Sequence, residues 1–121
     1  MTGLLLSDDL IFSSRITGTG RDLGFPIRAV KAANDLLALA REAPPACAIV
    51  DLANPGLNIA EFVAALKRLS PLANVVAYGS HVDTATLKAA RAAGCDLVMP
   101  RSQFVELLPK DLANWMKPAS E

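Results

Sequence analysis

The chain has 121 residues, with 12 Lys and Arg against 12 Asp and Glu, so its formal net charge is zero. This length fits one domain, which we place at residues 1–121. Hydrophobic residues make up 52% of the chain, too high a share for a disordered protein. The absence of net charge and an aromatic share of 5% argue against a nucleic-acid partner.

The chain offers few ligands for a zinc site, because it has two cysteines, no Cys-x-x-Cys motif and one histidine, His81. No apolar run reaches the length of a membrane span. The apolar start at residues 4–6 is followed directly by Asp8 and Asp9, which is unlike a signal peptide. We therefore predict a cytoplasmic protein without a membrane partner.

Five short apolar runs predict the strands of a parallel sheet. None shows the strict alternation of apolar and polar residues that is typical of a strand with one solvent-exposed face. Continuous apolar runs are typical of strands buried on both faces. In chain order they are residues 3–7, 26–30, 46–52, 74–78 and 97–99.

Segments of helical periodicity separate these runs and predict five helices. The first covers residues 10–23 and the second residues 35–43, and the third and fourth begin after the capping residues Asn58 and Asp83. Gly18 and Gly20 fall within the first helix, although glycine disfavours a helix interior. Pro109 predicts a broken last segment, with a turn from Ser102 and a helix that restarts near Pro109 and ends by Pro118. Leu112, Trp115 and Met116 form its core-facing stripe.

Alternating strands and helices predict an α/β sheet with helices on both faces, in flavodoxin-like or Rossmann-like strand order. In either order the binding crevice lies at the carboxyl ends of the strands. Asp8 and Asp9 follow the first strand, and Asp51 ends the third. A flavodoxin-like order makes these strands neighbours, so the three carboxylates should converge in a pocket that suits Mg²⁺.

These residues also carry a family resemblance. The sequence of residues 49–56, Ile-Val-Asp-Leu-Ala-Asn-Pro-Gly, resembles the phosphoacceptor strand and following loop of receiver domains in two-component response regulators. Asp8 and Asp9 match the acidic pair of that family, and residues 92–96 resemble its turn before the fifth strand. The resemblance implies a flavodoxin-like three-layer sandwich with a five-stranded parallel sheet in the order 2-1-3-4-5. That fold would use nearly all of the chain, so no output domain is expected.

The resemblance also implies roles for single residues. Asp51 would be the phosphoacceptor, and Mg²⁺ would be held by Asp8, Asp9, Asp51 and the backbone carbonyl of Ala53. Read without the resemblance, Asp51 is a strand-ending residue before a Pro-Gly turn, and Asp9 is the N-cap of the first helix.

The sequence departs from the receiver pattern where the family reads out phosphorylation. Gly79 stands where receivers have Thr or Ser, although Ser80 follows it, and Leu97 stands where they have an aromatic residue. The Lys of the family's Lys-Pro pair is missing. Ser80 and Arg101 are the candidate phosphate contacts, and Arg101 is alternatively the partner of a local carboxylate.

The leading hypothesis is therefore a stand-alone, receiver-like signalling module without enzymatic activity. It would act through protein–protein contacts, with a histidine kinase, a downstream signalling protein or a second copy of the chain as partner. The first alternative is a competent Mg²⁺-dependent phosphoacceptor in a phosphorelay. The second is a flavodoxin-like nucleotide or flavin binder, which lacks support because no Gly-rich loop directly follows a strand.

Overall fold

Strands and helices alternate along residues 2–118, the part of the chain that the computed structural model describes. In chain order the elements are β1 (Gly3–Leu6), α1 (Leu10–Asp22), β2 (Ile27–Val30), α2 (Ala33–Glu42), β3 (Cys47–Asp51), α3 (Ile59–Leu69), β4 (Asn74–Gly79), α4 (Thr84–Ala92), β5 (Leu97–Pro100) and α5 (Arg101–Trp115). Each neighbouring pair of strands is parallel, and the sheet order is β2-β1-β3-β4-β5. The predicted flavodoxin-like order is confirmed, and the Rossmann-like order is excluded.

Helices cover both faces of the sheet and form two apolar cores. Successive side chains of a strand point to opposite faces. Cys47 and Ile49 of β3 therefore pack with α1 and α5, whereas Ala48 and Val50 pack with α2, α3 and α4. Each fully buried Leu, Ile or Phe in these cores contributes about 1.5–3 kcal/mol. The structure is the predicted three-layer sandwich.

The five strands differ in burial more than their sequences predict. The central strands β1, β3 and β4 are almost entirely buried, but most residues of the edge strands β2 and β5 are partly or fully exposed. Burial on both faces was therefore wrong for β2 and β5, because an edge strand has a sheet neighbour on one side only. Arg28 adds an exposed charge to the β2 edge, which discourages pairing with another chain.

The starts of α3 and α4 follow the predicted capping chemistry, whereas those of α2 and α5 have no side-chain cap. Asn58 Oδ1 accepts a hydrogen bond from the Glu61 amide, and Asp83 Oδ1 accepts one from the Thr86 amide, each at 3.2 Å. By contrast, α2 begins two residues before the predicted start, after Ala32, which has no capping side chain. Within residues 2–118, no helix has the length and apolar character that crossing a membrane requires.

The predicted break at Pro109 was wrong, because α5 runs without interruption from Arg101 to Trp115. Phe104 and Leu108 on one side of the proline, and Leu112 and Trp115 on the other, are buried against the sheet. An interior proline costs a helix about 3 kcal/mol, less than these four side chains together contribute by burial. The predicted core stripe of Leu112, Trp115 and Met116 is confirmed.

The two glycines of α1 differ in the space around them. A Cβ on Gly20 would lie 2.6 Å from the carbonyl oxygen of Phe25 and 2.8 Å from Cδ1 of Ile27, whereas a Cβ on Gly18 would meet nothing within 4 Å. We expect Gly20→Ala to lower the free energy of unfolding by about 1–3 kcal/mol through this clash. The matched control Gly18→Ala should raise it by roughly 0.5–1 kcal/mol. Urea denaturation measures both changes, and equal effects would contradict this packing.

Candidate functional site

The carboxyl edge of the sheet brings polar side chains from three strands together. Leu6 of β1 pairs with Val50 of β3, and Asp51 pairs with Tyr78 of β4. Because side chains alternate along a strand, Ser7, Asp51 and Tyr78 all point to the face covered by α1 and α5. The candidate site therefore lies at the carboxyl edge of the sheet, on the face covered by α1 and α5.

Asp51 is a buried carboxylate whose two oxygens both accept hydrogen bonds. Only 6% of the surface of Asp51 is exposed to solvent. Ser7 Oγ donates to Oδ2 at 2.8 Å, and the Ala53 amide donates to Oδ1 at 2.9 Å. A buried carboxylate without donors would be strongly destabilising, so these two bonds both stabilise Asp51 and fix its orientation.

Asp9 is bound from two directions. The Phe12 amide donates to Oδ1 at 2.9 Å, which makes Asp9 the N-cap of α1. An Nη of Arg101 donates to Oδ2 at 3.1 Å, and the Arg101 guanidinium lies 3.8 Å from the centroid of the Phe12 ring. The Phe12 hydrogen bond, assisted by Arg101, holds the pKa of Asp9 below its ordinary value. Asp9, Phe12 and Arg101 therefore form one closed unit, which we call the Arg101 clasp.

Aromatic side chains continue from the Arg101 clasp into the core. The Phe12 ring meets the Tyr78 ring edge-on with centroids 5.2 Å apart, Tyr78 lies 4.6 Å from Phe104, and Phe104 stacks on Trp115 at 5.6 Å. Trp115 is thus linked to the site through the rings of Phe104 and Tyr78. The cluster accounts for much of the aromatic content of the chain.

The Tyr78 hydroxyl is buried and has no hydrogen-bond partner in the described part of the chain. Burial, with the nearby charge of Asp51 as the second cause, raises the pKa of Tyr78 above its ordinary range. The phenol therefore keeps its proton at neutral pH and remains a potential donor beside Asp51. The sequence analysis did not identify Tyr78 as a site residue, although the alternation of β4 places it on the same face as Asp51.

A cavity of about 340 Å³ opens above Asp51. Its lining residues are Asp51, Ala53, Tyr78, Gly79, Ser80, His81, Arg101 and Ser102. The structure thus brings the predicted phosphoacceptor together with both candidate phosphate contacts, Ser80 and Arg101. A larger cavity of about 500 Å³ lies between α2 and α3 and contains none of the predicted site residues.

The three carboxylates of the predicted metal site differ in their surroundings. Asp8 is exposed, Asp9 is paired with Arg101, and Asp51 is bonded to Ser7. Among residues 2–118 no group of three or more His, Cys, Asp or Glu side chains is arranged to hold a metal ion. Each side-chain oxygen of Asp9 and Asp51 already accepts one protein hydrogen bond, so a divalent ion would compete with these donors, Arg101 among them.

Asn54 supports the site from the loop after β3. It is buried, its amide donates to the Asp51 carbonyl at 3.0 Å, and its side-chain Nδ2 donates to the Lys31 carbonyl at 3.0 Å. The bond to Lys31 ties the loop after β3 to the loop after β2. Asn54 belongs to residues 49–56, the segment that resembles the phosphoacceptor strand and loop. The sequence does not predict its hydrogen bond to Lys31, because the two residues are 23 positions apart.

Comparisons with known proteins identify the fold. No protein-family model matches the sequence, and no curated protein sequence matches it. Solved structures do match. A candidate response regulator from Chloroflexus aurantiacus has a TM-score of 0.82 at 17% identity, over 95% of this chain and 96% of that chain. The receiver domain of NtrX from Brucella abortus has a TM-score of 0.80 at 18% identity, over 94% and 97% of the two chains.

A third similar structure contains a phosphorylated aspartic acid. A response regulator protein from Burkholderia pseudomallei, solved with a phosphorylated aspartic acid, a calcium ion and citrate, has a TM-score of 0.74 at 19% identity, over 93% of this chain and 69% of that chain. This chain also spans 26–27% of longer NtrX chains. At such identities the likeness shows the fold: this chain has the fold of response-regulator receiver domains.

Proposed function

We propose that this protein is a receiver-type signalling module that acts by docking another protein over the carboxyl edge of its sheet, and that it is not an enzyme. The observation that carries the proposal is the exposed apolar rim of this edge. Leu10 and Ile11 in the first turn of α1 are 63% and 87% exposed, and Val82 in the loop after β4 is 75% exposed. We call these three residues the apolar rim.

The apolar rim and the cavity lie at the same edge, so a partner that covers the rim also covers Asp51. Burying a large apolar side chain contributes about 1.5–3 kcal/mol, enough for a few such residues to anchor an interface. We propose a histidine-kinase phosphotransfer domain as the partner class, with a downstream signalling protein or a second copy of this chain as alternatives. The proposal places the protein in the cytoplasm, which its two free cysteines support.

The apolar rim can be tested against a surface residue of the same chemistry. Ile11→Ser should weaken binding to a cognate phosphotransfer domain by about 10- to 100-fold, because an apolar anchor is lost. Leu72→Ser is the matched control, since Leu72 is an exposed leucine at the opposite, amino edge of β4. Biolayer interferometry against the phosphotransfer domains encoded in the same genome measures both. Equal affinities of Ile11→Ser and the wild type, or no binding by the wild type, would contradict docking at the rim.

A competent phosphoacceptor is the second candidate, favoured by the position of Asp51 in the cavity beside Ser80 and Arg101. The structure from Burkholderia pseudomallei, with its phosphorylated aspartic acid and calcium ion, supports it by likeness of fold. An Asp51 oxygen would bond to the donor phosphorus while the bond to the leaving group breaks. Mg²⁺ held by Asp8, Asp9, Asp51 and the Ala53 carbonyl would first require Arg101 to leave Asp9.

Labelling with a small phosphodonor separates the two candidates. We expect wild-type protein in acetyl phosphate and millimolar Mg²⁺ to gain no stoichiometric phosphoryl group by intact-mass spectrometry, because Arg101 rather than a metal neutralises Asp9. A receiver domain of known competence is the positive control. Full labelling that Asp51→Asn abolishes, and that Asp35→Asn at an exposed site leaves unchanged, would establish the second candidate instead.

A further inference from the structure

We infer that Arg101 is an internal cation that takes the place of a divalent metal ion at this acidic edge. The inference rests on the proposed function only in treating this edge as the signalling site. Arg101 lies 92 residues from Asp9 in sequence, yet its guanidinium and the Asp9 carboxylate form one of the two ion pairs among residues 2–118.

The Arg101 clasp is built from three mutually supporting contacts. The Phe12 amide binds one oxygen of Asp9, Arg101 binds the other, and the Phe12 ring lies under the guanidinium. A guanidinium suits this place because its flat face stacks on an aromatic ring while its edge donates hydrogen bonds. The charge is therefore held by the protein at the carboxylate where a receiver-like site would hold a metal.

The position of Arg101 is set by the helix that carries it. Arg101 is the first residue of α5, directly after β5, and three residues later Phe104 is fully buried beneath Tyr78 and Phe12. Because Phe104 anchors the first turn of α5, the Arg101 side chain starts from a fixed point near the Phe12 ring. The position of the guanidinium is therefore set by the packing of the first turn of α5.

A bound guanidinium opposes a divalent ion in two ways. It occupies an oxygen of Asp9 that a metal would need, and its positive charge repels the ion. Mg²⁺ also demands near-octahedral oxygen ligands at about 2.0–2.1 Å, which the carboxylates already bonded to Ser7, Ala53 and Phe12 do not offer together. Arg101 is about half exposed, so water and partner groups can reach it.

Removing the charge of Arg101 should therefore create a metal site that the wild type lacks. We expect Arg101→Gln to bind Mg²⁺ at a concentration at least about tenfold below any at which the wild type responds, because one repelling charge and one competitor for Asp9 are gone. Arg101→Met, which keeps an apolar stem over Phe12, should gain the same affinity. Arg91→Gln is the matched control, since it removes an exposed arginine from the last turn of α4.

Two readouts that do not depend on phosphorylation measure the effect. The first is the rise in Tm with MgCl₂, compared with NaCl at equal ionic strength, and circular dichroism verifies that each variant is folded. The second is broadening of amide NMR signals near Asp9 and Ala53 by Mn²⁺, which locates the ion. We expect both signals in the two Arg101 variants and neither in the wild type or Arg91→Gln.

Wild-type protein that binds Mg²⁺ as tightly as Arg101→Gln would overturn the inference, as would Arg101 variants that are folded and bind none. Either result leaves the proposed docking function standing, because docking is measured at Ile11. Conversely, an Ile11→Ser variant that binds the partner as tightly as the wild type would contradict docking and leave the role of Arg101 unchanged.

Discussion

The parallel pairing of β1 with β3 is the constraint on which the site depends. Both strands run in the same direction, and Leu6 is opposite Val50, so Ser7 and Asp51 leave the sheet side by side. They form a 2.8 Å hydrogen bond between residues 44 positions apart in the chain. A carboxylate as buried as Asp51 is tolerated only with such donors. The same register places Tyr78 beside Asp51, so one sheet geometry defines the floor of the cavity.

Helix α5 supplies the other half of the site and is held at both ends. Its first residue, Arg101, reaches Asp9 across the carboxyl edge of the sheet. At its last turn, Asn74 Nδ2 donates to the carbonyls of Trp115 and Lys117 at 2.8 and 2.7 Å, which satisfies groups that have no partner within the helix. Between these ends, burial against the sheet keeps the helix continuous through Pro109. The same packing therefore places the guanidinium and overrides the proline.

The parts of this structure that sequence predicts are those with a local or periodic cause. The strand positions, the caps at Asn58 and Asp83, and Asp51 at a strand end follow from neighbouring residues, and the receiver resemblance selects the strand order. Long-range contacts were not accessible. The pairing of Arg101 with Asp9 depends on where α5 starts after β5, and the predicted break at Pro109 failed because core packing outweighs local propensity. Tyr78 was not identified as a site residue, because an aromatic residue on a buried strand is normally interpreted as part of the hydrophobic core.

The central claim is that Arg101 neutralises Asp9, and a double-mutant cycle tests it most directly. Urea unfolding of the wild type, Asp9→Asn, Arg101→Gln and the double variant gives the coupling between the two side chains. Because the folded-state pKa of Asp9 is lowered, the coupling should be present at neutral pH and vanish as the pH falls through that pKa. Added salt should weaken it, since both groups are partly exposed. Zero coupling at neutral pH and low salt would contradict the account.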